Sequence, residues 1–82
     1  MNHHYRKEIL EQLSAHGVRP TSETSPELVH EFVNDLYRYE LRRLRDRLLR
    51  REIAKSDYYD LVVEVRCRYP ALALKPWQWM EP

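Results

Sequence analysis

The sequence predicts a small all-α domain of three helices, the middle one long, followed by an extended C-terminal tail that carries prolines and tryptophans. Apolar residues recur every three or four positions over most of the chain, and no glycine or proline falls between Glu27 and Tyr69. Three of the five prolines crowd into residues 70 to 82, where a long helix is ruled out because proline lacks an N–H and collides with the preceding turn.

The first helix is expected over residues 3 to 16. Tyr5, Ile9 and Leu13 recur with Leu10 beside them, and the only glycine, Gly17, follows where a left-handed residue closes a helix. Val18 is positioned to make the apolar contact that accompanies such a cap. The stretch "VRPTSETS" then reads as a polar connector.

A second helix is expected over 26 to 52. Ser25 suits the cap, Pro26 the first helical position, and Glu27 the electropositive first turn. Val29, Val33, Tyr37, Leu41, Leu44 and Leu48 form a drifting apolar ridge, widened early by Phe32 and Leu36. Unbroken, such a rod is roughly 40 Å long.

Ser56, Asp57 and Asp60 mark the start of a third helix over 57 to 69, stopped by Pro70. Residues 61 to 69 also alternate as a strand does, with Val63, Val65, Cys67 and Tyr69 on one side. Helix is preferred because no other stretch reads as a strand to satisfy its backbone groups. In the tail, 70 to 82, Leu72, Leu74, Trp77 and Trp79 need cover, since a large aromatic gains about 2–3 kcal/mol on burial. The tail is therefore expected to lie across the helices or to dock on a second subunit. The outer helices, roughly 20 Å each, can line opposite halves of the long one or fold back beside it, and either way apolar length stays uncovered.

At 82 residues the chain buries a modest core, which makes self-association a reasonable expectation. Its 43% hydrophobic and 33% charged content is that of a folding chain. No apolar run approaches the roughly 18–20 residues that span a bilayer, and "MNHHYRKEIL" lacks the apolar centre of a secretory signal, so a cytoplasmic location is expected. The lone Cys67, between Arg66 and Arg68, is read as a packing residue.

The net charge of +1 conceals a segregation. Residues 1 to 37 hold six acids against three bases, residues 38 to 56 eight bases against three acids, and the remainder four acids against three bases. With Leu41 as zero and 100° per residue, Arg38, Arg42 and Arg45 lie at about 40–100°. Arg43, Arg47, Arg50 and Arg51 lie at about 180–280°, so arginines border the leucine strip on both sides. Such borders lay their stems along a helix–helix seam and reach towards a partner's acids. Spacings of three or four also suggest local pairs: Arg42 with Asp46, Asp46 with Arg50, and Asp35 with Arg38.

These features point to a non-catalytic helical interaction module, homo-oligomeric or bound to a helical partner through Tyr37, Leu41, Leu44, Leu48, Trp77 and Trp79. An antiparallel pairing of two long helices would set acidic early turns beside basic late ones. The alternative is a nucleic-acid-binding accessory protein that uses Arg38, Arg42, Arg43, Arg45, Arg47, Arg50 and Arg51 on phosphates. Near-neutral overall charge and the lack of a helix-turn-helix pattern weigh against it. Tyr39 and Tyr59, off the apolar stripes, are candidates for a recognition surface.

Glu27 and His30 have the (i, i+3) spacing that supplies two metal ligands in di-iron bundles, but a second such pair is missing and the first turn suits capping equally. His3 and His4 sit near a frayed end, and His16 suits a helix C-terminus. With one glycine and no nucleophile motif, no enzyme, metal or cofactor is expected.

Overall fold

The computed structural model describes residues 2–82 and is all-α, with helices α1 (Lys7–Ser14), α2 (Pro26–Leu49) and α3 (Lys55–Cys67). No helix among the described residues is long and apolar enough to cross a membrane. The molecule measures 48 × 18 × 16 Å, and its radius of gyration is 15.0 Å. A compact chain of this length would have a radius near 12 Å, so the long central helix sets the shape.

α1 is shorter than its apolar stripe suggested, because the residues ahead of it make other hydrogen bonds. Tyr5 forms an isolated antiparallel bridge with Met80. The Arg6 amide donates to the Trp79 carbonyl at 2.8 Å and the Glu81 amide to the His4 carbonyl at 2.7 Å. The Tyr5 hydroxyl donates to the Thr24 carbonyl at 2.6 Å. Gly17 takes the left-handed conformation expected of it, at φ 76°, and the Val18 amide returns to the Leu13 carbonyl.

α2 opens as read, with Ser25 at the cap and Pro26 in the first turn. The Ser25 hydroxyl, however, donates to Glu27 Oε2 at 2.8 Å and caps no amide. The helix ends at Leu49, three residues early, in a turn where the Arg51 amide donates to the Leu48 carbonyl and the Glu52 amide to the Arg47 carbonyl. This is the Schellman pattern, and its left-handed position is held by Arg51 at φ 61°. Without a glycine to mark it, the break is invisible to pattern reading.

α3 begins at Lys55, two residues before the expected start, with Ala54 at the cap. It runs back along the second half of α2 and settles residues 61–67 as helix. It stops at Cys67, and Tyr69 leaves the helix to enter the core. The tail lies across the helices, and the expected extended chain is confined to short links around Leu74, Lys75 and Met80. Between them Pro70–Ala73 and Pro76–Trp79 wind into single 3-10 turns, each opened by a proline whose fixed φ already suits it.

The buried residues among those described are Tyr5, Ile9, Leu13, Pro26, Val29, Val33, Leu44, Val65, Tyr69, Ala71 and Trp79. Trp79 is fully enclosed, its indole N–H donating to the Ala71 carbonyl at 3.0 Å. Most of this core lies at one end, where α1, the first half of α2 and the tail meet. The other end is a two-helix hairpin.

Candidate interaction surface

The leucine ridge does form a helix–helix seam, and α3 of the same chain covers it. Leu44 is 8% exposed, while Tyr37, Leu41 and Leu48 are half-buried beside Leu61, Val62 and Tyr58. Tyr37 meets the Tyr69 ring edge-on at 5.4 Å. Of the six residues assigned to an interface, Trp79 is committed to the chain's own core and Trp77 alone is mostly exposed, at 70%.

All seven arginines from Arg38 to Arg51 are exposed. Among the described residues only one of them, Arg47, reaches a carboxylate, that of Glu52 at 3.7 Å. The (i, i+3) and (i, i+4) pairs expected along α2 do not close. Arg43 instead lies over the Tyr39 ring, 5.9 Å from its centroid, a favourable cation–π placement. Glu40 pairs across the seam with Arg68 at 3.5 Å. With Arg43, Leu44, Arg47, Leu61, Val65 and Arg68 it lines an open cleft of about 200 Å³ between α2 and α3.

Glu40 Oε2 is shielded from solvent and meets no donor in hydrogen-bonding geometry. Burial first, and then this neighbouring carboxylate, push the Tyr69 hydroxyl up to about 12. Burial likewise raises the Tyr5 hydroxyl above the ordinary tyrosine value, helped by the negative charge of Glu27. The Ser25 hydroxyl bond and a backbone amide hold the Glu27 carboxyl below the usual glutamate value.

The histidines serve packing. His30 Nε2 donates to the Leu74 carbonyl at 3.0 Å and its ring tilts against Trp79 at 5.1 Å. His16 stacks on Tyr69 at 4.1 Å and donates from Nε2 to the Arg68 carbonyl. His30 pins the segment after α3 to α2, and His16 pins it to the turn that follows α1. His30 and Glu27 thus have separate partners, and no group of three potential metal ligands converges among the described residues. Cys67 is exposed, contrary to its reading as a packing residue.

What pattern reading did not single out is the outer side of α2. Leu28 is 65% exposed and Phe32 and Tyr39 55% each, and at about 140°, 180° and 160° on the same wheel they share one strip. Phe32 had been assigned to the ridge. It stays outside because the tail turns Pro70–Ala73 and Pro76–Trp79, which pack against α2, leave that side of the helix uncovered. Tyr39 and Tyr59 are both exposed, as their places off the stripes implied.

In comparison with known proteins, the chain matches no family model, and no curated protein or solved structure shows significant similarity to it.

Proposed function

We propose that this chain is a non-catalytic helical interaction module whose working surface is the outer side of α2. The observation that carries the reading is the exposed strip of Leu28, Phe32 and Tyr39. Exposed apolar residues scattered singly need no explanation, whereas three aligned on one helix face and rimmed by charge suit a docking surface. His16 and His30, the side chains best suited to proton transfer, are both engaged with backbone carbonyls, which favours a binding role over catalysis. The exposed and unpaired Cys67 suits a reducing compartment, so a cytoplasmic location belongs to the same proposal.

A photoreactive benzoylphenylalanine placed at residue 32 or 39 tests this in the native cell, with residue 66 on α3 as control. Specific adducts from 32 and 39 but not from 66 are expected. Their absence removes the reading.

One observation favours a second reading, nucleic-acid binding: six exposed arginines lack an ion-pair partner among the described residues. Titration of labelled duplex and single-stranded oligonucleotides at two salt concentrations would then show affinity falling steeply with salt. Flat titrations dismiss it.

A further inference from the structure

The charges bordering the exposed strip repeat in mirror order. Glu27, Glu31 and Asp35 precede the point between Leu36 and Tyr37, and Arg38, Arg42 and Arg45 follow it. At 1.5 Å per residue the acids lie about 2, 8 and 14 Å before that point and the arginines about 2, 8 and 13 Å after it. On the helical wheel all six fall within one arc of about 40–120°, and Asp35, Arg42 and Glu31, at about 120°, 100° and 80°, stand nearest the strip of Leu28, Phe32 and Tyr39. All six are exposed, and none forms a salt bridge among the described residues. Glu27 alone is engaged locally, by Ser25.

From this arrangement, and resting on the interaction reading above, we infer that the partner of the outer side of α2 is a second copy of this chain. The two α2 helices lie antiparallel about a two-fold axis between Leu36 and Tyr37. In an antiparallel pair each flank meets the same flank of its partner, so Glu31 and Asp35 arrive opposite arginines. Glu31 faces the second copy's Arg42 and Asp35 its Arg38, Glu27 and Arg45 stand outside the contact, and Phe32 of each copy falls near Tyr39 of the other. Arg43 lays its stem towards the second copy's Leu28. Asp46, at about 140°, arrives level with the second copy's Glu27, and Arg50, at about 180°, lies beyond the paired stretch, so the charges match only over the middle of the contact.

A parallel, in-register pair would set each flank against the opposite one, where the first half of α2 has no arginine to meet Glu27, Glu31 and Asp35. A head-to-tail contact would leave an unsatisfied surface at each end and grow without closing. The antiparallel arrangement closes as a dimer and leaves both clasped ends free.

Sedimentation measurements on charge-reversed variants test the register. Glu31→Arg and Arg42→Glu each convert two symmetry-related attractions into repulsions and should weaken the dimer about tenfold. The double variant E31R/R42E should return to near the parent affinity. Rescue within one chain is impossible, because the two positions stand roughly 16 Å apart on one rod. A chain that remains monomeric at every practical concentration overturns the inference, and so does a double variant no tighter than the singles. If residue 32 cross-links to a different protein while the chain stays monomeric, the interaction reading survives and the second copy does not. If residue 32 yields no adduct and the chain stays monomeric, both fall.

Discussion

The two ends of α2 are built differently. Its first half is clasped by the tail with Trp79, which α1 and the bridge of Tyr5 to Met80 hold in place, and nine of the eleven buried residues serve that end or its junction with α3. Its second half has only α3 for cover, and between Arg38 and Asp60 Leu44 is the sole buried residue. The same helix is thus a core element at one end and half of a thin, arginine-rich hairpin at the other. Chain-distant contacts hold the first region, while the second relies on a local turn and a half-buried seam.

Alanine substitutions give the largest separation of the two regions. Trp79→Ala should destabilise by about 3–5 kcal/mol, because it empties the centre of the clasp. That consumes much of the roughly 4–12 kcal/mol that a chain of this length has in total. Leu44→Ala should cost about 2 kcal/mol, at the low end for leucine, because an open cleft already adjoins it. Urea unfolding measures both, and equal losses would refute the contrast.

The alkaline range sharpens the same contrast, since Tyr69 and Tyr5 both belong to the clasp. Their hydroxyls are raised on folding, Tyr69 to about 12. Their contribution is therefore fully present below the unfolded tyrosine value near 10 and is lost as pH climbs through the folded value. Thermal melts should fall between about pH 10 and about pH 12, and Tyr69→Phe should flatten that fall relative to the parent. An unchanged slope would place the hydroxyl outside the linkage.

The smallest effect lies at the hairpin tip. Arg51 holds a left-handed conformation that glycine adopts without steric cost, so Arg51→Gly should stabilise by about 1 kcal/mol. A loss would mean that the Arg51 side chain supports the turn.

That residue also shows where the sequence stopped being legible. The left-handed turn at Gly17 and the start of α2 at Ser25-Pro26-Glu27 could be read because the residue types report the backbone they need. The end of α2 could not, because Arg51 reports nothing of the kind. The bridge between Tyr5 and Met80 joins positions at opposite ends of the chain, beyond any local pattern, and it shortened α1. On the candidate surface, periodicity found the ridge but not its cover. Phe32 reads as inward because wheel geometry alone does not say how wide an arc the tail's short turns can shelter. Tyr39 was legible as exposed, and the mirror order of charges about Leu36 and Tyr37 was the signal available for the rest.

The uneven charge along a 48 Å rod also gives the molecule a permanent electric dipole along its long axis, reduced where α3 returns Asp57 and Asp60 to the basic end. Acids near the electropositive start of α2 and arginines near its electronegative end each suit their own helix terminus. Two such rods drifting within about 10 Å in dilute salt feel a torque that turns them side by side and opposed before any surface touches.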